Sequence, residues 1–196
     1  MRSLRSVGAI CAACLIFSSY AAAQGPIISS VLSAISGPSQ AVGNTAIGPD
    51  GTYYALVPGT GSTASAPVWE LNAVGLAATP ATKWTSANLT GQLGAILPGA
   101  NTVFVVQTVV SGSGRTATST TSILSLSAAT GAAGPTIAPA GTIGNIEVKT
   151  IGSSDYLYVQ TTSTSTTQSD GTTTITRTTA LTIYSQTGAV IKTVPL

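Results

Sequence analysis

The chain has 196 residues, 43% of them hydrophobic and only 6% charged, with a formal net charge of +2, two cysteines and no histidine. Imidazole catalysis and imidazole metal ligation are excluded by composition alone. The charge is also too small to make a basic surface for nucleic acid.

The first element is a leader. Arg2 and Arg5 precede an apolar run from Val7 to Phe17, and Ala21-Ala22-Ala23 stands before Gln24. This is the pattern of a secretory signal peptide over residues 1–23. The run is too short to cross a bilayer as a permanent helix, and no later segment is long and apolar enough to do so. A secreted protein is expected, in the periplasm, at the cell surface or in the medium, with no transmembrane segment. Cleavage would remove both cysteines and the only methionine, leaving no disulfide or thiolate chemistry. It would leave Lys83, Arg115, Lys149, Arg177 and Lys192 balanced against Asp50, Glu70, Glu147, Asp155 and Asp170. A surface made largely of Thr, Ser, Gly, Ala, Asn and Gln lacks the repulsion that keeps molecules apart, so association is eased.

An apolar arm over residues 24–39 follows, and Ile27, Ile28, Val31, Leu32 and Ile35 are its candidate self-association residues. Outside it no stretch holds a 3.6-residue apolar period. The arm fits a strand completing the last sheet of its own chain, a strand on a neighbour's open edge, a short helix across an exposed sheet face, or a flexible continuation of the leader.

From residue 40 onward a unit of about fifty residues is written three times, at approximately 40–90, 91–140 and 141–196. The first copy starts near Val42, turns at Pro49-Asp50-Gly51, runs through Tyr53–Val57, and resumes at Val68–Leu71 and Gly75. Lys83-Trp84-Thr85 closes it. The second copy has Leu93–Leu97, a turn at Pro98-Gly99-Ala100-Asn101, then Val103–Val110 and Ile123–Leu126, ending at Ala129-Thr130-Gly131. The third has Ile146–Thr150, a break at Gly152–Asp155, then Tyr156–Gln160. A Ser/Thr tract holding Asp170-Gly171 leads on to Thr179–Tyr184, Ser185-Gln186-Thr187-Gly188 and Ala189–Val194. β-Branched and aromatic runs separated by Gly, Pro, Asp and Asn clusters predict antiparallel strands, four to a copy. Aromatic residues recur at the start of each second strand, as Tyr53 and Tyr54, Phe104, and Tyr156 and Tyr158.

The fold class expected is therefore all-β, with three consecutive four-stranded antiparallel blades preceded by a signal peptide. A β-sandwich of similar hairpins is the alternative. Four-stranded units at this period resemble β-propeller blades, and the nearest family is the quinoprotein-like group of repeats. Its blades commonly carry an Ala-x-x-x-Thr-Gly turn, with a tryptophan four residues later that docks on the neighbouring blade. Thr130-Gly131 and Thr187-Gly188 match the turn, whereas Pro135 and Lys192 stand at the tryptophan position. The resemblance covers residues 40–196 and carries over no cofactor site. Propellers usually close with at least four blades, so three would remain an open fan, curl into a small nonstandard arrangement, or be completed by another molecule. A two-chain ring and a head-to-tail filament are the assemblies that follow.

No catalytic constellation emerges. Asp50 and Asp170 precede glycine in turns, where aspartate bonds to nearby amides. Glu147 and Lys149 share one face of a strand. Gly59-Thr60-Gly61 and Gly112-Ser113-Gly114 read as hairpin tips, since no lysine and helix follow as in a phosphate cradle. The expectation is a noncatalytic exported protein without cofactor or metal, whose principal partner is itself, serving as a structural or surface component. The alternative is a secreted module that recognises a glycan or peptide through Trp69, Trp84, Tyr156 or Tyr158.

Overall fold

A computed structural model describes residues 44–63, 66–76, 79–113 and 116–196. The leader and the apolar arm, including Ile27, Ile28, Val31, Leu32 and Ile35, lie outside the described residues. Among the described residues there is no α-helix.

The protein is all-β, built as three antiparallel sheets whose strands follow in chain order. Sheet 1 contains β1 (Thr45–Ile47), β2 (Thr52–Pro58), β3 (Val68–Gly75) and β4 (Ala81–Thr85), with β5 (Leu89–Thr90) paired to the other half of β3. Ser86 bridges the break between β4 and β5. Its amide donates to the Leu71 carbonyl, and its hydroxyl oxygen accepts from the Leu71 amide at 2.9 Å. Sheet 2 contains β6 (Gln92–Pro98), β7 (Thr102–Ser111), β8 (Thr118–Ser127) and β9 (Ala133–Ile137). Sheet 3 contains β10 (Thr142–Ile151), β11 (Ser154–Ser169), β12 (Thr172–Ser185) and β13 (Val190–Pro195).

The sheets stack face to face because their second strands are apolar on both sides. Successive strand residues point to opposite faces. Tyr54 and Leu56 of β2 therefore meet Val103 and Val105 of β7 in one core, with Leu71, Trp84, Ile96 and Leu126. Phe104, between those two valines, points the other way. It packs with Ile123 and Ile137 against Leu157, Val159 and Tyr184 of sheet 3. Fully burying each such side chain contributes about 1.5–3 kcal/mol, so the two inter-sheet cores supply most of the driving force.

Sheets approach most closely along their first strands, where β1 lies beside β6 and β6 beside β10. Asn44 Nδ2 donates to the Gly94 carbonyl across the first of these seams at 2.6 Å. β6 and β10 each carry a register irregularity, between Leu93 and Ile96 and between Ile143 and Asn145. Gly94 and Gly144 sit at these equivalent places.

At the last strands the gap is spanned by side chains resting on glycine turns. The Trp84 indole donates Nε1–H to the Ala128 carbonyl at 2.8 Å, and its ring lies where a methyl group on Gly131 would be. Gly131 also has a φ of 71°, so glycine is required there twice over. One sheet further on, Pro135 of β9 occupies the same relation to Gly188, with 3.5 Å from Pro135 Cβ to the position of a Gly188 Cβ.

One polar clamp joins sheets 2 and 3. Asp155, at the start of β11 and 0% exposed, accepts from the amides of Ala100, Asn101 and Thr102 at 3.0, 2.7 and 2.8 Å. The Thr150 hydroxyl donates to it at 2.6 Å. The first two amides belong to the β6–β7 turn and the third opens β7, and a Cβ on Gly99 in that turn would stand 2.5 Å from the carboxyl carbon.

The Ser/Thr tract is strand throughout. β11 and β12 pair without interruption from Tyr156 opposite Ser185 to Ser169 opposite Thr172, and a two-residue turn follows with Asp170 at φ 51° and Gly171 at φ 72°. Positive φ at both central residues is the hairpin turn that suits strand twist. Residues 163–178 are exposed, so this ribbon projects beyond the sheet.

Replacing Asp155 with alanine leaves these three amides without their acceptor. D155A is expected to lower unfolding free energy by about 3 kcal/mol or more, read from urea melts, with G99A destabilising in the same direction.

Candidate functional site

The stack has two end faces, and the one on sheet 3 is the candidate site. Leu157 and Val159 point into the core, so Tyr156, Tyr158 and Gln160 point outward. Register places Glu147 opposite Tyr158 and Lys149 opposite Tyr156 on β10, and Leu181 and Ile183 opposite Gln160 and Tyr158 on β12. Lys192 and Val194 of β13 complete the row. Tyr156, Tyr158, Leu181, Ile183 and Val194 are half-buried. A depression of about 320 Å³ lies here, lined by Asn145, Glu147, Lys149, Tyr158, Gln160, Leu181 and Leu196.

Glu147 and Lys149 form a charge pair here, and Lys192 stands on the same face across β12. Lys149 Nζ is 3.6 Å from Glu147 Oε1, with both side chains more than half exposed, and lies 5.9 Å from the Tyr158 ring centroid. An ion pair this exposed contributes little to stability, yet it places one charge of each sign beside two aromatic rings.

The four aromatic candidates do not come together. Trp84 is 8% exposed inside the first core, 5.8 Å from Tyr54 between ring centroids, and Trp69 packs partly buried against that same core. The Trp84 ring is thus enclosed by sheet packing, whereas Trp69 keeps part of its surface in solvent. Tyr156 and Tyr158 are neighbours on the outer face of sheet 3. Leu181, Ile183 and Gln160 were not singled out by sequence. The available signal was that Tyr156-Leu157-Tyr158-Val159 is apolar on both faces, as a strand covered from both sides would be.

The carboxylates are engaged locally. Asp50 accepts from the Thr52 amide and hydroxyl and pairs with Lys83 at 3.1 Å. Glu70 accepts from the Thr60 amide at 3.3 Å. Asp155 holds the inter-sheet turn, and Asp170 forms the hairpin tip. Among the described residues no group of three or more His, Cys, Asp or Glu converges, and no helix is long and apolar enough to cross a membrane. Two further clefts lie along the first strands. One is lined by Asn44, Thr45 and Gly94–Ile96, the other by residues that include Val106, Ser119, Thr121 and Thr142, and neither has a charged side chain in its lining. Asn88, in the triplet Asn88-Leu89-Thr90, is exposed, and its amide donates to the Thr60 carbonyl at 3.3 Å.

No family model, curated protein or solved structure matches this chain.

Two outcomes follow from these placements. In a W69F variant the remaining tryptophan emission, from Trp84, should be blue-shifted and resist quenching by iodide; free quenching would remove Trp84 from the core. The hydroxyl and amide of Thr52, aided by Lys83, hold the Asp50 carboxyl down to about 2 from the usual 3.8. The folded value lies below the unfolded one, so this stabilisation is present above pH 3.8 and is lost as pH falls toward 2. D50N should flatten that part of the acid unfolding curve by a small amount, because the group is largely exposed.

Proposed function

We propose that this is an exported, noncatalytic blade-repeat protein that associates with itself as a structural or surface component. The observation that carries this reading is the outer face of sheet 3. On sheets 1 and 2 the aromatic at the second strand, Tyr54 or Phe104, lies under the next sheet. Tyr158 holds the equivalent place on sheet 3, half-buried, with Tyr156, Leu181 and Ile183 around it. A repeat whose first two units are covered at this face leaves the third as a surface shaped for covering.

The blade resemblance draws support from the contacts at the last strands. Trp84 on Gly131 is like the tryptophan-on-turn docking of such blades, although no Thr-Gly turn stands four residues before it. Pro135 on Gly188 repeats it with a smaller side chain. Lys192 stands at the same place on sheet 3, where no further sheet offers a turn.

A second copy fits this face by charge. Two copies related by a two-fold axis present the same patch to each other, so Glu147 of one can meet Lys149 of the other in both directions. With few other charges on the surface, little repulsion opposes the approach. The second reading is recognition of a glycan or peptide at the same place, favoured by the depression beside Tyr158 and the hydrogen-bonding groups of Asn145 and Gln160.

Light scattering over a concentration series should show a dimer or larger species. The double variant Y158E/L181E should shift it to monomer with an unchanged circular dichroism spectrum. A well-folded monomer at about 1 mM would overturn self-association, and tyrosine-detected binding of an oligosaccharide or peptide by that monomer would favour the second reading.

A further inference from the structure

Sheet 1 ends the stack on the other side, yet the middle of its outward face is buried, while Thr45 and Ile47 at the β1 margin of that face are exposed. Tyr54 and Leu56 point at sheet 2, so Tyr53, Ala55 and Val57 point away from it, joined by Val74 opposite Tyr53. Ala55 and Val74 are 0% exposed and Val57 is 3% exposed. Neighbours within a sheet cover only the flanks of a side chain, and its tip stays in water unless another layer lies over it. The half-buried residues on the outer face of sheet 3 show what an end face without such a layer looks like. These residues form a cluster of their own, to which neither sheet 2 nor sheet 3 contributes. Neither of those sheets therefore accounts for their burial.

The chain itself supplies a candidate at the right place. Thr45 of β1 pairs with Ala55, so the residues before β1 enter at the margin of this face. Between Gln24 and Gly43 lie twenty residues with no charged side chain among them. Fully extended they would reach about 65 Å, whereas β3 is only two strand spacings, about 10 Å, from β1. Ile27, Ile28, Val31, Leu32 and Ile35 recur within them as a single apolar stripe.

We propose that residues 24–39 of the same chain lie over the outward face of sheet 1, with this stripe against Ala55, Val57 and Val74. The segment takes the place a further sheet would occupy and closes that end of the stack in cis. This inference does not depend on self-association at sheet 3, and holds equally for a monomer.

The test uses the full chain carrying C11S and C14S, so that an introduced thiol is the only one. V57C should react slowly with a water-soluble maleimide, and adding I28D/L32D to the arm should accelerate labelling by about tenfold or more. Pairing V57C in turn with I28C, V31C, L32C or I35C should give at least one disulfide that runs as a monomer on a nonreducing gel. This scan keeps the arm largely apolar and decides the matter if I28D/L32D fails to fold. Rapid labelling of V57C beside a native arm would overturn the proposal, as would protection that survives I28D/L32D in a folded chain. The absence of any disulfide would also overturn it, and disulfides formed only between two chains would assign the cover to a second copy. Oligomeric state, followed by light scattering on the same samples, reports on sheet 3 separately.

Discussion

Alternation of side chains along three short strands is the constraint from which the rest of this structure follows. β7 runs Val103-Phe104-Val105, with all three residues at 0% exposure. A strand can bury consecutive residues only if both of its faces are covered, so the middle sheet must lie between two others. The same parity fixes polarity. Each sheet offers the face holding Tyr54, Phe104 or Tyr156 in one direction and the face holding Ala55, Val105 or Leu157 in the other. A one-residue slip in any second strand would exchange these faces and set the aromatic against the wrong neighbour. Register within each sheet and order between sheets are thus one specification.

Apolar packing alone would leave the sheets free to slide, because it is not directional. Direction comes from a few contacts at the margins. Asp155 reaches out of sheet 3 to three successive amides at one turn in sheet 2, and the Trp84 indole N–H meets a single carbonyl at Ala128. Both contacts end on turns where a glycine makes room, Gly99 for the carboxylate and Gly131 for the indole. In a chain with 6% charged residues, one buried carboxylate has few competitors for those donors. The polar Ser/Thr composition does not weaken the sheets, since the ladder is made by backbone and the hydroxyls face solvent along residues 163–178.

Much of the fold was legible from residues. The turns at Pro49-Asp50-Gly51 and Pro98-Gly99-Ala100-Asn101, and the runs after them, gave the hairpins, because turn chemistry and strand alternation are local. Asp170-Gly171 marked the tip of the long hairpin, although the Ser/Thr tract read equally well as a loop; Thr on both faces gives no apolar alternation to count. β5 was not visible, being two residues that borrow half of β3. Asp155 had no identifiable partner in sequence because its acceptor role spans more than fifty residues to the previous sheet. The contact of Trp84 with Gly131 was not legible either, because no Thr-Gly turn stands four residues before Trp84 and its partners lie in the next sheet. Trp84 as a ligand platform was a fair expectation from residue type alone, since an aromatic on a strand reads the same whether a sugar or another sheet covers it. Tyr156 and Tyr158 carry that ambiguity into the structure, because the last sheet has no successor.

The two ends of the stack are therefore unlike, and this bears on what the molecule can build. Identical sheets with both end faces bare would join head to tail, sheet 3 of one copy on sheet 1 of the next, giving a ring if the rotation closed and a filament if it did not. The face of sheet 1 is buried at Ala55, Val57 and Val74, and under the proposed cover by residues 24–39 it would not be open to a further copy. If the proposed self-association holds, the face of Tyr156 and Tyr158 would be the one left to pair with itself about a two-fold axis. Glu147 and Lys149, one charge of each sign at neighbouring positions, suit that symmetry, since each copy supplies both halves of the pair. Under the two proposals together, closing one end would convert a repeat able to polymerise without limit into one that stops at two, with apolar residues rather than the charged edges by which sheets usually resist growth.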